Sequence, residues 1–144
     1  MIARPVSWLL LFAAVCLAGL VATSAQAQDP RATSVQNAAR SWLLLTDKGD
    51  ADAARAAASK KFREQLDETT WREALAGARG PLGQPLNRSA RATRFDTKFP
   101  GGPDGEYAQI LFETEYSNGS TMRETVSLER EPDGVWRVMG YLIR

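Results

Sequence analysis

After residue 30, apolar side chains recur at intervals of three and four, which is the period of an α-helix with one buried face. Thr33 and Gln36 have the spacing of a capping box, so the first helix is expected to begin there and to end before Gly49. Trp42 lies on the apolar stripe of this helix and is its expected core anchor.

Two more helices are predicted before the pattern changes. Asp50 can cap an alanine-rich helix that runs to about Ser59 and is followed by one further apolar turn. Asp67 can cap a third helix with Trp71 on its apolar stripe, and Gly80 begins the Gly-Pro segment that ends it.

The second half of the chain alternates apolar and polar residues, which is typical of half-buried strands. Helices followed by consecutive strands indicate an α+β domain. We expect three N-terminal helices packed on one face of a four-stranded antiparallel meander sheet. The predicted strands are at about Ser89–Lys98, Glu106–Ser117, Thr121–Arg130 and Val135–Ile143.

Turn residues predict the register of the last hairpin. Pro132–Gly134 suits a three-residue loop with glycine in the left-handed position. This loop would pair Leu128 with Val138 and Val126 with Gly140.

The preceding turn contains Asn-Gly, which usually marks a two-residue loop. Such a loop would oppose the like charges of Glu113 and Glu124. A three-residue loop, Asn118–Ser120, avoids this clash and pairs Phe112 with Val126, so we expect the longer loop.

This register assigns the side chains of the last three strands to two faces. The outer face would hold a group of four apolar residues, either a dimer or partner interface or ordinary scattered surface residues. The group consists of Leu111, Met139, Tyr141 and Ile143. The expected inner face consists of Ala108, Ile110, Phe112, Val126, Leu128, Trp136, Val138 and Leu142.

Glu124 is the candidate for a chemical role, because the alternation directs its carboxylate inward among apolar neighbours. A buried carboxylate is costly unless it is paired or protonated. It could act as a general base or a ligand contact in a pocket. The favoured interpretation is structural, with the carboxylate held by an arginine such as Arg40, Arg79 or Arg94.

The N-terminus has the three parts of a secretory signal peptide. Arg4 precedes an uncharged apolar run, Trp8–Ala22, and Ala25–Ala27 supplies the small residues that a signal peptidase reads. Cleavage is expected before Gln28. A membrane anchor would need roughly 20 apolar residues, and a lipoprotein cut before Cys16 would have valine where a small residue is normal. The prediction is a signal peptide at 1–27, a single domain at 28–144, a periplasmic or secreted location and no stable membrane anchor.

Composition excludes several kinds of chemistry from the domain. The chain has no histidine, and its one cysteine lies in the predicted signal. The domain therefore has no disulfide, thiol nucleophile, Cys/His zinc site or Ser-His-Asp triad. The net charge of +1 gives no reason to expect nucleic acid as a partner. We expect no metal and no cofactor.

Several segments in order resemble a known family. They are Ala39–Leu43, Asp47–Asp50, Phe62-Arg63, Trp71, Arg79–Gly83, Pro103–Tyr107, Glu124–Val126 and Asp133–Tyr141. Together they resemble the bacterial exported family called domain of unknown function 4019. The resemblance implies a periplasmic or secreted location and brings no assigned activity. The order of helices and meander also resembles the cone-shaped domains of the nuclear transport factor 2-like (cystatin-like) group.

The expected function is that of an exported, non-catalytic module that binds a partner protein, or a second copy of itself, through the outer face of the sheet. The alternative is a small ligand-binding or enzymatic pocket domain that uses Glu124.

Overall fold

The computed structural model describes residues 29–144, so the predicted signal peptide and its cleavage site lie outside the described residues. The predicted α+β architecture is confirmed: helices precede a four-stranded antiparallel meander in the order β1-β2-β3-β4. The elements are α1 (Pro30–Asp47), α2 (Ala51–Ala57), α3 (Lys60–Gln65), α4 (Glu68–Arg79), a 3₁₀ turn (Gly80–Leu82), β1 (Pro85–Asp96), β2 (Tyr107–Tyr116), β3 (Thr121–Arg130) and β4 (Trp136–Ile143).

Four helices are present in this part of the chain where three were predicted. The apolar turn around Phe62 is a helix of its own, with the Ser59 hydroxyl accepting a hydrogen bond from the Phe62 N–H at 3.2 Å. The Ser59 N–H donates to the Val138 carbonyl of β4 at 2.8 Å. This bond holds the chain extended at Ala58 and Ser59, so the alanine-rich helix stops and α3 begins anew.

The first helix begins earlier than its predicted capping box. Asp29 is the N-cap residue, and its carboxylate accepts from the Arg31 N–H at 2.9 Å. Pro30 occupies the first helical position, where its missing N–H costs nothing. The prediction of a start at Thr33 is therefore wrong.

Aromatic rings on three helices form the centre of the core. Trp42 and Trp71 have ring centroids 5.8 Å apart, and Phe62 lies 5.0 Å from Trp71. The two indole N–H groups donate to the carbonyls of Ala54 and Ala51 at 2.7 and 2.8 Å. Because the side chains of α2 are small, the large rings can reach the backbone of this helix.

The β2–β3 loop has the predicted length but begins one residue earlier, at Ser117–Gly119 instead of Asn118–Ser120. Gly119 takes the left-handed conformation, φ +90°, at the last loop position. Phe112 therefore pairs with Glu124, two residues from its predicted partner. Because the shift is two residues, the side chains of β3 keep their predicted faces.

The β3–β4 pair contains a bulge that the sequence analysis did not predict. Leu128 pairs with Val138 as expected, but the next paired residues are Ser127 and Gly140, so Met139 is an extra residue. The predicted pairing of Val126 with Gly140 is wrong by one residue, because Val126 pairs with Tyr141.

A one-residue shift exchanges the two faces of a strand. Tyr141 therefore points into the core, 5.4 Å from the Trp42 ring, and Ile143 is opposite the buried Glu124. Leu142 was predicted to point inward and is 51% exposed. Met139, at the bulge, is buried.

Candidate functional site

Four charged residues from four elements meet in the interior behind the sheet. Asp47 and Arg79 are the last residues of α1 and α4, and Arg88 and Glu124 lie on β1 and β3. Arg79 extends the buried stripe of α4, whose members are four residues apart, and Arg88 pairs in the sheet with the buried Thr114. The same periodicities that build the core thus direct these two arginines into it.

Glu124 has no solvent-exposed surface. Its Oε1 accepts hydrogen bonds from Arg88 Nε at 2.9 Å and Thr114 Oγ1 at 2.5 Å. Its Oε2 accepts from the Tyr141 hydroxyl at 2.5 Å, and Arg79 Nη1 lies 3.8 Å from this oxygen. Both oxygens are therefore occupied by side chains of the protein.

Asp47 connects the two arginines. Its Oδ1 accepts from Arg79 Nη2 at 2.6 Å and from Arg88 Nη2 at 2.9 Å, and its Oδ2 accepts from Arg88 Nη1 at 2.7 Å. Two carboxylates and two guanidinium groups make the cluster electrically balanced, which is what burial of charge requires. We call these four residues the charge cluster.

Burial and pairing shift the titration of the cluster. Burial opposes ionisation of Asp47, but hydrogen bonds from Arg88 and Arg79 outweigh it and hold its pKa below the ordinary value. Burial opposes the charged form of both arginines, but Asp47 and Glu124 beside Arg88, and Asp47 and the tyrosines beside Arg79, outweigh it and raise both pKa values. Burial, followed by the charge of Glu124, raises the pKa of Tyr141 and raises that of Tyr116 to about 12.

The tyrosine hydroxyls differ in their partners. Tyr141 donates to Glu124, whereas the buried hydroxyl of Tyr116 has no hydrogen-bond partner among residues 29–144. The Arg79 guanidinium lies 5.2 Å from the centroid of the Tyr116 ring, and its buried Nε also has no partner in the described chain. The charge cluster is thus saturated around Glu124 and incompletely satisfied around Arg79.

Of the three arginines predicted to hold Glu124, only Arg79 approaches it. Arg40 lies over the Phe112 ring, 5.1 Å from its centroid. Arg94 is exposed and pairs with Gln109, far from the core side of the sheet. The structure therefore places Arg40 and Arg94 outside the cluster.

Arg88 and Asp47 are not among the site residues expected from the sequence. The predicted β1 begins at Ser89, one residue after Arg88, whereas the strand of the structure begins at Pro85. The signal that could have found Arg88 is its two-residue spacing from Ala90, which packs against the core. Asp47 follows the buried Thr46 at the end of α1, where a carboxylate has no local reason to be buried.

The predicted outer apolar group is largely absent from the outer face. Tyr141 and Ile143 are on the inner side of the sheet, and only Leu111 of the four shares a row with the exposed Leu142. The register instead forms a row across all four strands that carries no charge. This outer row consists of Ala92, Leu111, Thr125 and Leu142.

Within residues 29–144, no helix is long and apolar enough to cross a membrane. In the same part of the chain, no three or more Asp, Glu, Cys or His side chains are grouped so that they could hold a metal ion.

The fold and the cluster define a small α+β domain with helices on one face of an antiparallel sheet and a buried, balanced charge network. A family model described as "Protein of unknown function (DUF4019)" matches residues 38–141, and the chain belongs to this family. The resemblance inferred from the sequence segments is thereby confirmed at the level of the family.

A solved structure shares the fold. Aln2 from a Streptomyces species, determined at 1.8 Å, superposes with a TM-score of 0.50 at 16% sequence identity. The match covers 81% of this chain and 92% of that chain. No curated protein matches the sequence.

Proposed function

We propose that this protein is an exported, non-catalytic module that binds another protein through the outer face of its sheet. The bound protein is either a second copy of itself or a periplasmic partner. The observation that carries the proposal is the outer row, an uncharged strip that crosses the whole sheet on the side away from the helices.

The state of Glu124 supports a non-catalytic role. A general base needs a free oxygen within hydrogen-bond reach of a substrate proton. Both oxygens of Glu124 already accept from Arg88, Thr114 and Tyr141, and the residue has no exposed surface. No observation favours the alternative of a pocket that uses Glu124.

The surroundings of the outer row support protein binding. Charged residues flank the row, with Arg94 on one side and the pair Glu113 and Arg123 on the other. An uncharged centre with a charged rim is the usual arrangement of a protein interface. Leu142, half exposed at the β4 end, is the largest apolar contact that the row offers.

Export rests on the first 27 residues. The apolar run and the small residues before Gln28 support cleavage and release into the periplasm or the medium. Intact mass spectrometry of protein recovered from a bacterial host tests this part, because cleavage would give a chain that begins at Gln28. A mature chain that retains Met1 would contradict it.

We also propose that the domain belongs to the nuclear transport factor 2-like group. The support is the order of helices followed by a four-stranded meander, together with the likeness to Aln2. This likeness concerns the fold and carries no activity.

Leu142→Glu tests the outer row, with Leu44→Glu as the matched control. Leu44 is 57% exposed on α1, so the control adds the same charge to a surface of similar exposure outside the sheet. Light scattering after size exclusion should find a self-associated wild type and control, and a Leu142→Glu variant reduced to one chain.

A photo-crosslinking residue at position 142 extends the test to a partner of different sequence. Adducts formed from position 142 and absent from position 44 would support binding through the row. A monomeric wild type whose position 142 forms no specific adduct in cells would refute the proposal.

A further inference from the structure

A cleft of about 310 Å³ opens beside the charge cluster, on the helical side of the domain. It lies where the end of α1, the start of α2, α4 and the turn after α4 meet, and Asp47 and Arg79 of the cluster contribute to its wall. This volume is at the lower end of the range for small-molecule sites, which are about 300–1,000 Å³. The cleft is separate from the outer sheet face.

The charged side chains of this wall are three cations and one carboxylate. They are Lys48, Arg72, Arg79 and Asp47. Both oxygens of Asp47 are already occupied by arginines at 2.6 to 2.9 Å, so its negative charge is compensated within the protein. Since the charge cluster is balanced as a whole, the positive charge that the cleft can offer to a ligand is that of Lys48 and Arg72.

Two of the cations can bind a ligand at little cost in stability. Lys48 is exposed and makes no ion pair within residues 29–144. Arg72 pairs with Asp52 at 2.7 Å, but both side chains are more than half exposed. Exposed pairs of this kind contribute about 0–1 kcal/mol to stability, so a bound anion could replace Asp52.

The backbone carbonyls at the end of α1 do not favour a cationic ligand. The carbonyls of residues 44, 45 and 46 accept from the N–H groups of Lys48, Asp50 and Gly49, respectively, at 3.0 to 3.2 Å. A cationic ligand would thus find neither a free carboxylate nor these carbonyls, and it would be repelled by the lysine and the arginines.

The remaining wall is small and apolar. Leu75 and Ala76 of α4 line it, and Leu75 is 4% exposed. An apolar group that rests on these side chains would be removed from water while the charged group stays near Lys48 and Arg72.

We propose that this cleft binds a small ligand that carries one oxyanion group, a carboxylate or a phosphate, on a compact apolar body. Lys48 and Arg72 bind the oxyanion, and Leu75 and Ala76 contact the apolar body.

Titration of the ¹⁵N-labelled full protein with benzoate, followed by amide NMR signals, tests the proposal. Benzoate should shift the signals of Lys48, Leu75 and Ala76. Benzamide, which has the same shape without the charge, should bind about tenfold more weakly, as expected for the loss of one charge-assisted contact. Inorganic phosphate should also bind more weakly, because it lacks the apolar body.

Lys48→Gln and Arg72→Gln should each weaken benzoate binding about fivefold or more, again the size of one charge-assisted contact. Lys60→Gln is the matched control, since Lys60 is an exposed lysine on α3 and does not line the cleft. Equal affinity for benzoate and benzamide, unchanged affinity in both cleft variants, or no shift at the cleft signals would each overturn the proposal. Phosphate binding as tight as benzoate would overturn the apolar contact.

Discussion

Glu124→Gln removes one charge from the interior and leaves the shape of the side chain unchanged. In the wild type, Arg88 and Arg79 face Glu124 at 2.9 and 3.8 Å. The variant leaves two buried guanidinium groups with one carboxylate, Asp47. The glutamine NH₂ would face either Arg88, which cannot accept a hydrogen bond, or Tyr141, whose hydroxyl would have to change from donor to acceptor.

Removing one partner of a buried ion pair costs about 3–5 kcal/mol. In a domain of this size, each kcal/mol lowers the melting temperature by about 4 °C, so the expected loss is about 12–20 °C. Urea unfolding followed by circular dichroism measures the free energy of unfolding directly. Glu115→Gln is the control, because Glu115 is exposed on the neighbouring strand, and it should change stability by about 0.5 kcal/mol or less.

The double variant Arg88→Met/Glu124→Gln shows whether charge balance is the cause. It leaves Asp47 and Arg79 as a balanced pair at 2.6 Å. The stability lost by the double variant should therefore be smaller than the sum of the losses of the two single variants, by about 1 kcal/mol or more. Strict additivity, or a Glu124→Gln cost as small as that of Glu115→Gln, would refute the charge-cluster interpretation.

Three further outcomes are expected. Tyr141→Phe should cost about 1.5–3 kcal/mol because it removes a hydrogen bond to a carboxylate, whereas Tyr116→Phe, which removes an unpartnered hydroxyl, should cost nothing measurable in urea. Because the pKa of Asp47 is lowered by folding, its carboxylate contributes stability at pH values above the ordinary pKa of 3.8, and this contribution is lost as the pH falls below 3.8. Asp47→Asn should therefore reduce the decrease in stability at acid pH. An unchanged acid dependence of stability would contradict this. Gly83→Ala should cost about 1–2 kcal/mol, because φ is +76° and a Cβ would clash with Ser117 Oγ, and Ser117→Ala should restore part of it; a thermal melt that matches wild type would contradict the clash.

Local chemistry made much of the fold predictable. Asp50 and Asp67 cap their helices as expected, with carboxylates that accept from N–H groups three residues on. The Pro132–Gly134 turn sets the predicted pairing of Leu128 with Val138. Each of these features depends on residues that are near one another in sequence, so a local pattern contains the information.

The bulge at Met139 shows where local patterns stop. Strict alternation from Val138 would place Leu142 inward and Tyr141 outward. Gly140 inside the strand pattern is a local hint of a bulge, but it does not specify which residue is the extra one. In the structure Tyr141 packs on Trp42 and its hydroxyl reaches Glu124. These contacts involve residues that are distant in sequence, so only the packed core contains them.

The charge cluster depends on tertiary structure in the same way. The sequence by itself determined that a carboxylate at position 124 points inward, because alternation along β3 is a property of the strand. Its partners lie on other elements, and Asp47 and Arg88 are 41 residues apart in the chain. Only the folded arrangement decided which arginine reaches which carboxylate, because buried charges are paired by proximity in space and not by spacing in sequence.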